Sequence, residues 1–142
     1  MTTNLEDLYR RWILELWNGD LAVADAIVSP DFLIHQARTG PGDSAEFRGP
    51  RGIKAMVRDG RAPFSDLTFA VEVGPLVSGD FVVGRWRGEG VYAGGIPGAT
   101  APAGTRVAYR GTDILRAEGG RFVEYWVSAD VFQLMMDLGV GA

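Results

Sequence analysis

Residues 105–130, TRVAYRGTDILRAEGGRFVEYWVSAD, constrain the fold of this chain more than any other stretch. They comprise two runs rich in β-branched and aromatic residues, separated by Glu118-Gly119-Gly120, and this pattern predicts a β-hairpin. Side chains alternate across a strand. In the first run Val107, Tyr109, Gly111, Asp113 and Leu115 share one face, and Ala108, Arg110, Thr112, Ile114 and Arg116 share the other. In the second, Val123, Tyr125, Val127 and Ala129 oppose Phe122, Glu124, Trp126 and Ser128. One face of each strand is the more apolar, and we assign it to the interior. Asp113 is a carboxylate within that apolar set. A charge there is costly unless it is paired or used. It is either an acid or base whose pKa burial has raised, or a structural aspartate neutralised by a partner such as an arginine.

The rest of the chain supplies what such a hairpin would pack against. Residues 4–18 place Leu5, Leu8, Tyr9, Trp12, Ile13, Leu16 and Trp17 at helical spacing behind Asn4, a plausible N-cap. Their aromatics fit either a pocket wall or plain helix-to-sheet packing. A second short helix is expected over 21–28, stopped by Ser29-Pro30. A brief strand follows at 31–36. Residues 37–50, rich in Gly and Pro, form a long loop, either a lid or a surface excursion. A third helix is expected over 50–60, with Ile53, Met56 and Val57 buried. From Leu67 onward the pattern is sheet, with strands near 67–73 and over 81–92, the hairpin, and a terminal helix over 131–138. Gly84, Gly88 and Gly90 on one strand face suggest curvature or the close approach of a ligand. The 142 residues suffice for one domain, 1–142, with a sizeable core. The expected class is α+β: helices on one face of a curved antiparallel sheet, forming a cone with an apolar pocket inside.

Composition narrows the function. The net charge is −4 with no Lys/Arg cluster, so we expect no nucleic-acid partner. No cysteine is present, which excludes disulfides and thiolate metal sites and is compatible with a reducing cytoplasm. The single histidine speaks against a histidine-rich metal site. No run approaches membrane-spanning length, and the N-terminus lacks the apolar core of a signal peptide.

Four stretches carry a family resemblance. They are Trp17-Asn18-Gly19-Asp20 with Ser29-Pro30-Asp31-Phe32; Phe47-Arg48-Gly49-Pro50 with Gly52-Ile53; Gly95-Ile96-Pro97 through Tyr109-Arg110-Gly111-Thr112-Asp113-Ile114; and Glu124-Tyr125-Trp126 with Leu134 to Gly139. In order and spacing the chain resembles the SnoaL-like polyketide cyclases of the nuclear transport factor 2-like superfamily, over nearly its whole length. The resemblance implies the cone-shaped α+β barrel fold, a pocket over the sheet, and small hydrophobic substrates handled without a metal or organic cofactor. It also exposes a departure. Aldol cyclases of the family carry an acid/base aspartate just after the residue matching Trp126, and here that position is Val127. The family's tail aspartate persists as Asp130, where capping is its expected work.

Asp113 and His35 are therefore the candidate catalytic residues. His35, an imidazole, is the residue type suited to proton transfer but also fits a hydrogen-bonded rim residue, and Gln36 is the alternative polar group beside it. Tyr92, Tyr109 and Tyr125 fall on inferred inner faces, each offering an apolar ring and one hydroxyl, with Trp86 and Val127 as walls. The expected function is a cofactor-free cyclase or isomerase of a polyketide-derived intermediate. Epoxide opening and non-catalytic binding of a small hydrophobic molecule are the alternatives. Phe81, Val83, Ile114 and Trp126, beside Arg85, Arg110 and Glu124, make the outer sheet face too apolar for free solvent, and a homodimer through that face is expected.

Overall fold

The structure is a computed structural model that describes residues 4–35 and 48–141. The polypeptide begins with α1 (Leu5–Arg11), whose first-turn amides are capped by Asn4 through bonds from Glu6 and Asp7. The helix continues not as a regular α-helix but as a π-helical turn over Trp12–Leu16, closed by Trp17 N–H donating to the Trp12 carbonyl at 3.0 Å. A π turn adds one residue to the helical repeat and re-aims the side chains beyond it. A 3₁₀ turn (Leu21–Val23) leads into α2 (Ala24–Ile27).

Strand β1 (Val28–His35) starts three residues earlier than the sequence pattern suggests and runs straight through Pro30. It lies at the sheet edge, where a residue without an N–H leaves no neighbour unpaired. Next come α3 (Gly49–Arg61), β2 (Phe64–Ser78), β3 (Phe81–Tyr92), β4 (Arg106–Glu118), β5 (Arg121–Ala129) and α4 (Val131–Asp137). The strands form one curved, unclosed sheet in the order β1-β5-β4-β3-β2. The α+β class and the helix-backed curved sheet are as expected, with one correction. The sheet is mixed, because β1 pairs parallel with β5 while the other pairs are antiparallel. Val28 pairs with Phe122 and His35 with Trp126, so both strands run away from the end where α2 meets the sheet.

The hairpin turns at Gly119-Gly120, both with positive φ, as a tight turn between right-twisted strands requires. Its inner faces alternate as expected except at one point. The pairing slips between Arg116 and Ala117, so that Arg116 faces Glu124 but Ala117 faces Phe122. This bulge sends both Phe122 and Val123 into buried positions. Phe122, assigned by strict alternation to the outer face, instead packs edge-on against Trp12 at 5.7 Å.

The main core lies between helix and sheet, where Leu8, Tyr9, Trp12, Ile13 and Leu16 meet Val82, Trp86, Leu115 and Tyr125. A smaller cluster of Tyr92, Val107, Leu134 and Leu138 anchors α4 at the far end. No described helix is long and apolar enough to cross a membrane.

Candidate active site

Alternation on β4 turns Asp113 inward, and the fold buries it completely, with no exposed surface. Every donor it meets is a neutral aromatic group. Tyr9 hydroxyl donates to Oδ2 at 3.0 Å and Trp12 Nε1 to the same oxygen at 3.3 Å. Tyr125 hydroxyl donates to Oδ1 at 2.9 Å and Trp86 Nε1 to that oxygen at 3.1 Å. Four donors thus saturate the acceptor positions of one ionised carboxylate. The arginine partner of the structural reading is not there.

Two inward glycines make this cage possible. Gly84 pairs with Asp113 on the neighbouring strand, and a Cβ there would lie 2.2 Å from the Tyr9 ring. Gly111 pairs with Trp86, and a Cβ there would lie 2.2 Å from the Trp86 ring. Each glycine is the seat on which an aromatic donor rests. Space that the sequence suggested for a ligand is filled by the protein's own rings. From α1, Tyr9 and Trp12 point the same way because they lie three residues apart on one helical face.

Burial pushes the Asp113 carboxyl up from 3.8 to about 6, against the downward pull of the bonds from Tyr125, Trp86, Tyr9 and Trp12. Burial also raises Tyr9 and Tyr125 far above the ordinary phenol value, reinforced in each case by the Asp113 charge. The phenols are therefore donors near neutral pH, and Asp113 is the group of the three that can change charge there.

Beside this cage lies an apolar cavity of about 310 Å³, within the usual range for small-molecule sites. Trp86 and Tyr125 belong to both: their rings line the cavity while their polar atoms hold Asp113. Asp113 itself does not line it. Tyr109 and Val127 are on the wall, as the sequence suggested, together with Ile13, Trp17, Phe64 and Phe69. Met56, Asp59 and Gly60 of α3, Val131, Leu134 and Met135 of α4, and Pro63, Ile96 and Ala129 complete it. Val127, at the position of the family's aspartate, pairs directly with Asp113 across the hairpin.

Other candidates lie elsewhere. Tyr92 is buried in the smaller cluster behind α4, where its hydroxyl accepts from the Ile96 amide at 3.0 Å, and it is not on the cavity wall. His35 sits on the outer face, stacked on Trp126 at 4.8 Å and bonded to Glu124 at 2.8 Å. Alternation explains the placement, because Phe32 and Ile34 take the inward positions of β1. Gln36 and residues 37–47 of the expected lid lie outside the described residues. Asp130 occupies the N-cap position of α4 but makes no side-chain cap, its carboxylate pairing instead with Arg85 at 3.3 Å. Among the described residues no cluster of three or more His, Asp or Glu side chains could hold a metal ion.

Sequence reasoning did not connect Tyr9 and Trp12 to Asp113. The available signal was a pair of inward glycines beside it, Gly84 across the ladder and Gly111 two residues earlier on its own strand, which only large rings from other elements would fill.

Comparison with known proteins agrees with this architecture. The chain is similar to TsrD from Streptomyces laurentii, with 26% identity over 96% of this chain and 95% of that one and a TM-score of 0.77. It is similar to IdmH from Streptomyces antibioticus, a candidate polyketide cyclase, with 26% identity over 94% of this chain and 97% of that one and a TM-score of 0.76. AclR from Streptomyces galilaeus, a candidate hydroxylase, shares the fold at 23% identity over 95% and 91% of the two chains, with a TM-score of 0.70. No curated protein matches in sequence. The profile of the SnoaL-like polyketide cyclases matches residues 7–138, nearly the whole chain, and the protein belongs to that family.

Proposed function

We propose that this protein is a cofactor-independent cyclase or isomerase of a hydrophobic, polyketide-derived intermediate. The observation that carries the reading is Tyr125, which lines the apolar cavity and bonds the buried Asp113 at 2.9 Å. The two residues form a relay. With Asp113 ionised, the Tyr125 proton points at the carboxylate and its oxygen lone pairs are free for substrate. A substrate C–H proton passes to the Tyr125 oxygen as the tyrosine's own proton passes to Asp113. The carbon left with the electron pair then attacks a carbonyl of the same chain, closing a ring, or is reprotonated at another position. The return transfer from Asp113 through Tyr125 supplies the proton that the product oxygen or carbon needs. A carboxyl with a pKa of about 6 is suited to both directions near neutrality. The cavity walls contribute by holding reacting ends together, which removes an entropic barrier. Asp113 acts through Tyr125, in place of the aspartate that Val127 replaces.

The test is the conversion of synthetic aryl poly-β-ketone esters and conjugated polyenones to isomers of unchanged mass, followed by chromatography and mass spectrometry. The parent protein should accelerate ring closure of at least one of them. Tyr125→Phe keeps the ring and removes the relay, and should lose on the order of a hundredfold in single-turnover rate with little change in affinity. Full activity in Tyr125→Phe and Asp113→Asn would leave shape alone as the mechanism. Absence of turnover by the parent, with retained binding, would favour a simple binder. Ring closure by epoxide opening would appear instead as selective turnover of epoxide analogues, with the proton moving from Asp113 through Tyr125 to the epoxide oxygen.

We also propose a homodimer through the outer sheet face. Phe81 and Ile114 are exposed there, and Phe81 packs against Trp126 at 6.1 Å. Trp126→Glu should give a monomer by light scattering, because it would place an unpaired charge in the interface. A parent monomer at micromolar concentration would defeat the proposal.

A further inference from the structure

The cavity wall holds two hydrogen-bond donors that the Asp113 cage does not use. Trp17 lines the cavity, and its indole N–H is buried with no acceptor among the described residues. Buried donors without a partner are rare in folded proteins, and each calls for a cause. Tyr109 is on the same wall; burial pushes its hydroxyl up to about 12, and no hydrogen bond among the described residues contributes. Phe69 packs edge-on against both rings, 5.8 Å from Trp17 and 6.2 Å from Tyr109.

Trp17 is well placed to hold a fixed geometry. The π-helical turn ends on it, and Arg61 Nη1 bonds its carbonyl oxygen at 2.9 Å. Arg61 is also close enough to Tyr109 for its charge to favour the phenolate. Asp59, two residues earlier on α3, brings an opposite charge to the cavity wall. Asp59 is on the wall and Arg61 is not, which disfavours a ligand carboxylate, and the two donors without an acceptor among the described residues are neutral. An indole N–H can only donate, so the matching ligand atom is an acceptor.

We propose that Trp17 and Tyr109 form a subsite for a carbonyl oxygen of the ligand, a ketone or an ester rather than a carboxylate. The inference rests on reading the cavity as the substrate site and adds a requirement on the substrate: an oxygen held at this end while another part of the molecule reaches Tyr125. Hydrogen bonds to a carbonyl oxygen also acidify the adjacent C–H and stabilise the enolate formed from it. The subsite would then serve the proton relay as well as binding.

The experiment compares two probes of one shape, 2-acetylnaphthalene and 2-ethylnaphthalene, by titration against the intact protein. The parent should bind the acetyl probe about five- to tenfold more tightly, the span expected of one or two neutral hydrogen bonds. Trp17→Phe and Tyr109→Phe should each reduce that ratio, and the double variant should bring it to about one, with melting curves showing that all remain folded. Equal binding of the two probes by the parent, no binding of either, or a preference that survives in the double variant would overturn the proposal. None of these readouts needs turnover. A protein that closes no ring but prefers the acetyl probe keeps the subsite and loses the cyclase reading, and the converse result does the opposite.

Discussion

The two faces of the β4–β5 hairpin treat carboxylates in opposite ways. Inward, Asp113 is buried among two tyrosines and two tryptophans with no cation, and its pKa rises to about 6. Outward on β5, Glu124 is bonded by His35 and Arg116, and its pKa is lowered, first by the bond from His35. Glu72 on β2 is lowered too, chiefly by the bond from Arg110. Neighbouring positions in one sheet thus hold a carboxylate ready to take up a proton and others locked in the charged form. The difference is solvation and partner type. Water and arginine stabilise charge on the outer face, while aromatic donors inside satisfy every oxygen without supplying a counter-charge. The inner arrangement keeps a group poised to ionise, which is what proton chemistry requires.

The strongest way to break this comparison is Asp113→Leu. It leaves four buried donors without an acceptor, at roughly 1–3 kcal/mol each. About 3 kcal/mol is regained because no charge is buried at neutral pH. The expected net loss is on the order of 5 kcal/mol, measured by urea unfolding, and a variant as stable as the parent would mean that the cage is not holding the helix to the sheet. Asp113→Asn is milder but not silent. The indoles of Trp12 and Trp86 contact different oxygens and cannot accept, so the new amide must face one of them donor to donor.

Second in size is the pH dependence. The folded protein binds the Asp113 proton more tightly than the unfolded chain does, with a pKa of about 6 against 3.8. The stability this confers is fully present below pH 3.8 and is lost as pH rises through 6, by roughly 3 kcal/mol. The difference between the unfolding free energies of the parent and Asp113→Asn, measured from about pH 3.5 to about pH 7.5, should follow this curve. A flat difference would remove Asp113 as the titrating group.

Gly84→Ala sharpens the picture from the other side of the ladder. The added methyl would overlap the Tyr9 ring, and displacing it should cost about 2 kcal/mol. It should also shift the Asp113 titration, since one of the four donors moves away. The smallest effect is expected outside. Glu72→Gln removes the partner of Arg85 and Arg110, but these groups stay in water, and the urea midpoint should not move. A clear loss there would show the outer pairs to be more than a solvated fringe.

The residues themselves made much of this legible. Strand β3 spans 81–92 as its alternation suggested, and the hairpin turns at the expected glycines. The inward set of β4, Asp113 included, follows from period-2 alternation, a local property that survives whatever packs above it. The apolar spacing of residues 4–18 was likewise enough to identify a buried helical face, though not its π-helical turn.

What only the tertiary structure decided is who meets whom. Asp113 and its donors Tyr9 and Trp12 lie 104 and 101 residues apart in the chain, and no local pattern joins them. The bulge that buries Phe122 depends on how β5 fits against β4. Alternation says which way a side chain points. Whether a buried aspartate then meets an arginine or four aromatic donors is settled by how the first helix seats Tyr9 on Gly84 and how Trp86 of the neighbouring strand lies over Gly111, where shape and hydrogen-bond satisfaction must both be met.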